Sequence, residues 1–214
     1  MIISASRRTD IPAFYSEWFF NRINEGYVLV PNPYNPNMIS RVSLDPAVID
    51  CVVFWTKNPA PMIEKLDRLA DYKYYFQFTL NPYGTELESK LPSLDKRIDT
   101  FKRLADRIGK EKVVWRYDPI LTNEYYTVAF HQDKFAEMAV ALQGYTEKCM
   151  LGFIDHYPHV RASLREFNIE PLAKEDIEAM AVAFRKTADE LSMELDTCTT
   201  RIDLSHIGIP SGLC

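Results

Sequence analysis

Short apolar runs alternate with longer amphipathic stretches about six times along this chain, and few kinds of fold accommodate such a pattern. The apolar runs are rich in β-branched and aromatic residues, which is typical of strands, and the stretches after them have the apolar spacing of helices. Parallel strands need long crossover connections, and these are usually helices. The alternation therefore predicts an α/β protein with a parallel sheet.

The elements can be placed from these runs and from the glycines that end the helical stretches. Proline-rich residues 31–37 cannot form a regular helix, and we expect a hairpin-like excursion around them, from strands at 27–30 and 39–44. The predicted parallel strands are 2–5, 51–55, 74–80, 113–117, 149–154 and 194–197. The predicted helices are 15–25, 62–70, 93–108, 127–142 and 174–191.

Six parallel strands with helices between them either close partly into a barrel or lie as an open doubly wound sheet. Each predicted strand ends in a reactive or polar group, which is typical of loops that converge on one mouth. We therefore predict a partial (β/α)6 TIM-like barrel of parallel strands. At 214 residues the chain is expected to be a single domain.

The composition narrows the class of protein. Hydrophobic residues make up 47% and charged residues 26%, as in ordinary globular proteins. The net charge of -5 argues against a domain that holds nucleic acid by neutralising phosphates, because that mode needs an excess of Lys and Arg. The sequence has no apolar run near the length of a membrane helix and no signal-peptide pattern, so we expect a cytoplasmic protein that does not enter the membrane.

Four cysteines are scattered along the chain without a C-x-x-C pair: Cys51, Cys149, Cys198 and Cys214. This spacing does not indicate a disulfide framework, and we expect reduced thiols. Cys51 and Cys149 each open an apolar run, which favours small buried side chains in strands.

The segment after the first predicted strand, Ser4-Ala5-Ser6-Arg7-Arg8-Thr9-Asp10, combines hydroxyl groups, two guanidinium groups and a carboxylate. Guanidinium groups bind phosphate or carboxylate by bidentate hydrogen bonds, so Arg7, Arg8 and Asp10 are candidate binding residues. The alternative is a solvated turn in which Asp10 pairs with an arginine and caps the next helix.

Two later predicted strands also carry polar groups, one just after its end and one within it. Lys57 follows the apolar run 51–55, where a lysine can bind an anion or act as a base; a loop lysine with its charge in water is the alternative. Gln77 alternates with aromatic residues and is predicted to face the interior of the barrel, although structural hydrogen bonding explains it equally well.

Arg116 and Asp118 lie two residues apart at the end of the fourth predicted parallel strand, and therefore on one face of an extended chain. Buried charges are costly unless they are paired, so this pair indicates either a functional site or a structural ion pair.

Three further positions could ligate metal or act in catalysis. His156 and His159 lack a third ligand at a suitable spacing and are better interpreted as loop residues. Cys198 ends the last predicted strand, where a thiol can be catalytic or ligate a cluster, although a single cysteine is more often packed. The sequence has no P-loop, G-x-G-x-x-G, H-E-x-x-H or G-x-S-x-G motif, which argues against those enzyme classes.

Four strings occur together in a recognisable order: Ile-Ile-Ser-Ala-Ser-Arg-Arg-Thr-Asp-Ile-Pro at 2–12, Val-Phe-Trp-Thr-Lys-Asn-Pro at 53–59, Tyr-Phe-Gln-Phe-Thr-Leu at 75–80 and Trp-Arg-Tyr-Asp-Pro-Ile at 115–120. With these strings the chain resembles the bacterial family called domain of unknown function 1848. Members of that family resemble radical S-adenosylmethionine proteins and continue into a cysteine-rich tail that looks like an iron–sulfur site. The resemblance thus implies S-adenosylmethionine and a [4Fe-4S] cluster as cofactors.

The sequence stops at Cys214 and has no C-x-x-x-C-x-x-C motif, so either the chain is truncated at its carboxyl terminus or this member departs from the family pattern. In both cases we expect most cluster ligands to be absent from this chain. The leading hypothesis is a radical S-adenosylmethionine-like enzyme core that binds an anionic substrate or cofactor. Its candidate catalytic residues are Lys57, Asp118 and Cys198; its candidate cofactor-binding residues are Arg7, Arg8, Asp10, Gln77 and Arg116; its candidate iron ligands are Cys198 and Cys214.

Two other functions fit the same residues. A cluster-free barrel hydrolase or lyase could act on a phosphorylated or carboxylated small molecule through the same arginines and lysine. A sensor or adaptor domain could bind a metabolite or nucleic acid without turnover.

Overall fold

The computed structural model describes residues 1–6, 8–155, 160–198 and 202–212, without the side chain of Ser163. The chain divides into two compact units, residues 1–78 and residues 79–214, and each unit has its own set of parallel strands. The prediction of a single domain stays a prediction.

The first unit is built around three parallel strands in the order β1, β4, β5. A four-residue helix and a longer helix follow β1, an antiparallel hairpin leads to β4, and a short helix precedes β5. The elements are β1 (Ile2–Ala5), α1 (Ile11–Phe14), α2 (Ser16–Glu25), β2 (Tyr27–Pro31), β3 (Ile39–Ser43), β4 (Cys51–Thr56), α3 (Ala60–Ile63) and β5 (Tyr74–Thr79).

Aromatic rings form the core of the first unit between the sheet and α2. The rings of Phe54 and Phe76 stack with centroids 4.8 Å apart, and Phe19 of α2 packs edge-on against Phe54 at 5.2 Å. Since side chains alternate along a strand, the register partners Trp55 and Gln77 lie on the opposite face of this sheet. Gln77 and the apolar core thus occupy different faces of the sheet.

Two expectations for the first unit have different outcomes. The hairpin over β2 and β3 is confirmed, and Gly26 ends α2 with a φ of 74°. The expected helix at 62–70 is wrong, because the segment forms α3 and a separate 3-10 helix, Leu66–Leu69. Both short helices bury one apolar stripe, so the spacing of apolar residues cannot distinguish them from one long helix.

The second unit has four parallel strands in the order β6, β7, β8, β9. The elements are α4 (Leu94–Ile108), β6 (Val113–Ile120), α5 (Val128–Leu142), β7 (Lys148–Phe153), α6 (Arg161–Glu166), α7 (Lys174–Glu190), β8 (Glu194–Cys198) and β9 (Ser211–Gly212). The prediction of β8 as the last strand is wrong, because β9 pairs with it. A Ser-Gly pair carries no strand propensity, so no local signal in the sequence indicates β9.

Helices α5 and α7 of the second unit pack together on one face of its sheet. Phe135 of α5 stacks on Trp115 of β6 and on Phe184 of α7, with centroids 4.9 Å and 4.2 Å apart. Arg116, adjacent to Trp115, is therefore on the opposite face, together with its register partner Met150.

A buried hydrogen-bond chain joins β6 to α5. The Nε2 of His131 donates to the Leu121 carbonyl at 2.7 Å, which leaves Nδ1 to accept from the Tyr117 hydroxyl at 2.8 Å. This arrangement requires a neutral imidazole. Burial lowers the pKa of His131 below its ordinary value of 6.5, although the bond to Leu121 partly offsets that effect.

The free energy of unfolding is expected to fall as the pH drops below about 6.5, because the unfolded chain then binds a proton at His131 that the folded chain resists. One such group contributes a slope of up to about 1.4 kcal/mol per pH unit. Denaturant unfolding at several pH values should show this slope in the wild type and in a His206→Gln control, and a smaller slope in His131→Gln.

An unchanged slope in His131→Gln would contradict this assignment. Because that substitution also removes buried hydrogen bonds, NMR titration of the His131 ring in the wild type gives an independent check. Titration near the ordinary histidine pKa would show that the imidazole is not held neutral.

None of the helices in the described ranges has both the length and the apolar character needed to cross a membrane.

Candidate functional site

In the first unit, Asp10 fixes the segment after β1 against the end of β4. Its Oδ1 accepts from the backbone N–H of Ala13 at 3.0 Å, and its Oδ2 accepts from the backbone N–H of Lys57 at 2.7 Å. Burial raises the pKa of Asp10, and hydrogen bonds from Lys57, Thr56 and Ala13 counter that effect. The interpretation of Asp10 as a helix cap is confirmed, and its carboxylate positions the loop that carries Lys57.

Arg8 lies on the surface of the first unit. Its guanidinium donates to the carbonyl of Pro31 at 2.7 Å and so ties the segment after β1 to the end of β2, rather than pairing with Asp10. Ser6, two residues earlier, has a φ of 105°, which is rare for a residue with a side chain. Arg7 lies outside the described residues, and its predicted role is not tested.

Gln77 of β5 is 6% exposed, and its Oε1 has no hydrogen-bond partner among the described residues. A buried carbonyl without a partner costs about 1–3 kcal/mol. A ligand that donates an N–H or O–H to this oxygen would recover that cost. The sequence indicated a polar residue here but could not show that its acceptor is unused.

In the second unit, Arg116 and Asp118 of β6 form an ion pair, with side chains 5% and 28% exposed. The guanidinium is buried while the carboxylate reaches solvent. An ionised carboxylate in this position can accept a hydrogen bond from a hydroxyl or ammonium group of a ligand.

Asn81 and Gly152 fix the position of Asp118. The side chain of Asn81 donates to the carbonyl of Asp118 at 2.9 Å and accepts from its backbone N–H at 3.0 Å. A Cβ at Gly152 of β7 would lie 2.3 Å from Oδ1 of Asp118, so only glycine lets the carboxylate approach that strand. The backbone and the side chain of Asp118 are both restrained.

A second ion pair lies near the first in the same unit, between Lys148 of β7 and Asp196 of β8 at 2.8 Å. Asp196 is the register partner of Met150, which is itself the partner of Arg116, so these residues share one face. Four residues around these pairs were not predicted: Asn81, Lys148, Gly152 and Asp196. Two signals were present in the sequence, the glycine within a strand and the alternation of polar residues along β8.

The cysteines differ in state. Cys51 and Cys149 are free, as predicted, and burial raises the pKa of the Cys149 thiol. Cys198 ends β8 as predicted, but it is in a disulfide bond, so the expectation of a reduced thiol is wrong for it. The scattered spacing of the cysteines does not reveal whether any of them pair. Cys214, His156 and His159 lie outside the described residues.

The described residues do not fit an iron–sulfur cluster. Within residues 1–6, 8–155, 160–198 and 202–212, no group of three or more His, Cys, Asp or Glu side chains could hold a metal ion. A cluster needs several thiolates, and Cys51 and Cys149 lie in the first two residues of their strands whereas Cys198 ends one.

The predicted residues thus form two groups. In the first unit Asp10 holds the backbone of Lys57, and in the second unit Arg116 pairs with Asp118. Each group lies at or just after the carboxyl end of a strand, which is where α/β proteins place their sites.

Comparisons with known proteins agree with this fold. No curated protein matches the sequence. The structure is similar to that of a spore photoproduct lyase mutant in which one cysteine is replaced by alanine, with a TM-score of 0.59 and 14% identity, and the match covers 91% of this chain and 60% of that one. A spore photoproduct lyase complexed with dinucleoside spore photoproduct gives a TM-score of 0.56 and 16% identity, with the same coverage of 91% and 60%.

This chain therefore spans about three fifths of the length of those lyases, 60% in both cases. The predicted fold class, α/β with a partial TIM-like barrel of parallel strands, is confirmed, and the fold is similar to that of the two spore photoproduct lyase structures. The family model described as a domain of unknown function, DUF1848, matches residues 2–214. The resemblance found in the sequence is thus confirmed, and the chain belongs to the DUF1848 family.

Proposed function

We propose that this chain is the barrel core of a radical S-adenosylmethionine-like enzyme that binds an anionic small molecule at the carboxyl ends of its strands. The observation that carries the proposal is the fold similarity, which extends over 91% of the chain. The family match over residues 2–214 supports it, because family members resemble radical S-adenosylmethionine proteins. We place the enzyme in the bacterial cytoplasm.

The proposed roles combine the sequence predictions with the geometry of the described residues in each unit. Arg8, with Arg7 and Lys57, holds the anionic groups of the substrate or cofactor. The Asp118 carboxylate orients a hydroxyl or ammonium group, while Arg116 holds that carboxylate in place. Within the first unit, Gln77 accepts a hydrogen bond from a ligand N–H or O–H group through its unused Oε1.

The described part of the chain supplies binding and orientation rather than a complete iron site. The proposed thiol ligands are Cys198 and, outside the described residues, Cys214, and Cys198 must first be reduced from its disulfide. Two thiols do not complete a [4Fe-4S] cluster, so other ligands have to come from outside the described residues.

Anaerobic iron–sulfur reconstitution of the full-length natural protein tests the proposal. We expect a brown protein with stoichiometric iron and sulfide that binds S-adenosylmethionine in a calorimetric titration. A colourless product that binds no S-adenosylmethionine would refute the proposal.

The misfit between the described residues and a cluster favours a second candidate, a cluster-free barrel hydrolase or lyase that acts on an anionic small molecule. It would use the same Arg8, Lys57 and Asp118. Turnover that persists in air and in the presence of chelators would identify this second candidate, because the leading candidate loses activity under both conditions.

A further inference from the structure

The first unit contains a cavity of about 430 Å³ beside its edge strand. The walls come from the end of β1 and the segment after it, from the start of α2, and from β2 of the hairpin. A volume of this size is within the range that holds small molecules.

The walls of this cavity are mainly apolar and aromatic. Tyr15, Trp18 and Leu29 line it, and they are 50%, 44% and 53% exposed. Such residues are costly on a surface unless something covers them, and a cluster of them around a cavity marks a binding site. Two flat rings favour a ligand with a flat apolar body.

The polar end of the cavity carries a positive charge. Arg8 lines it, and the bond from Arg8 to the Pro31 carbonyl uses only part of a guanidinium that has five N–H donors. Across the described ranges no carboxylate pairs with Arg8, and nearby Asp10 is held by the backbone of Ala13 and Lys57. The hydroxyl-bearing Ser4 lies at the same cavity.

We propose that this cavity binds a small molecule with a flat, apolar body and an anionic head, either a carboxylate or a phosphate. The head pairs with Arg8 and the body lies against Trp18 and Tyr15. The inference names the class of anionic ligand and, through the role of Arg8, rests on the proposed function.

Calorimetric titration with 2-naphthoate, 2-naphthyl phosphate and the uncharged 2-naphthamide tests the inference on protein that has not been reconstituted. We expect at least one of the two anions to bind about tenfold or more tightly than the amide, because one charge-assisted hydrogen bond increases affinity by about that factor. The tighter anion identifies the head group. This readout needs neither iron nor S-adenosylmethionine, so its failure is distinguishable from failure of the proposed function.

Variants locate the binding. Arg8→Gln should remove the preference for the anion while the amide binds as before, and Trp18→Ala should weaken all three ligands. Arg41→Gln is the matched control, because Arg41 lies on β3 of the same hairpin, over Tyr27, and does not line the cavity. Equal binding of anion and amide, or a preference that survives in Arg8→Gln, would overturn the inference, as would no binding at all.

Discussion

Replacing Gly152 by alanine is expected to destabilise the protein by about 2–3 kcal/mol, the upper part of the range of about 1–3 kcal/mol that is usual when extra atoms are forced into a packed site. The new Cβ would meet Oδ1 of Asp118 at 2.3 Å and its Cγ at 2.5 Å, so either strand β7 or the carboxylate must move. For a chain of this size the midpoint of thermal unfolding should fall by roughly 5–10 °C. Differential scanning calorimetry measures that shift.

Two comparisons separate the clash from other effects of the added methyl group. A Cβ at Gly144 meets no atom within 4 Å, so Gly144→Ala reports only the cost of its left-handed φ of 83°. Truncating Asp118 to alanine should relieve part of the clash, so Asp118→Ala and Gly152→Ala together should be coupled by about 1 kcal/mol or more. If the effects of these two substitutions on stability are additive, contact with Asp118 is not the reason that position 152 requires glycine.

Much of the fold could be predicted because apolar runs are a local signal. Strands such as β4 and β7 are buried on both faces, and a continuous apolar sequence is required for that. The segment after Pro61 was predicted wrongly because short helices and one long helix bury the same stripe. Strand β9 depends on its neighbour β8 and not on its own residues.

The candidate site was only partly predictable, because its restraints are contacts between distant residues. Arg116 and Asp118 could be paired from their spacing alone. By contrast, Asn81 is hydrogen-bonded to Asp118, 37 positions away in the sequence, and no local pattern indicates that contact. Likewise, only coordinates reveal that Gln77 has an unused acceptor.

Converting Asp118 to asparagine is expected to weaken binding of S-adenosylmethionine by about tenfold or more. If the second candidate function holds, the same loss is expected for its anionic ligand. The substitution keeps the shape and the contact with Gly152 but removes the charge that a hydroxyl or ammonium group would meet. It also removes the negative charge that Arg116 pairs with in the ion pair, so circular dichroism must first show that the variant is folded at the temperature used.

Glu137→Gln is the matched control, because it makes the same change of carboxylate to amide in an ion pair on the surface of α5, with Lys134. Surface ion pairs contribute little to stability, so this control should bind like the wild type.

We expect the restraints on Asp118 at the end of β6 to hold its carboxylate in position for contact with a ligand. Calorimetric titration of S-adenosylmethionine into reconstituted wild type, Asp118→Asn and Glu137→Gln decides whether it does. We expect tight binding to the wild type and to Glu137→Gln, with a loss of about tenfold or more in Asp118→Asn. Equal affinity of all three folded proteins would contradict a ligand contact at Asp118.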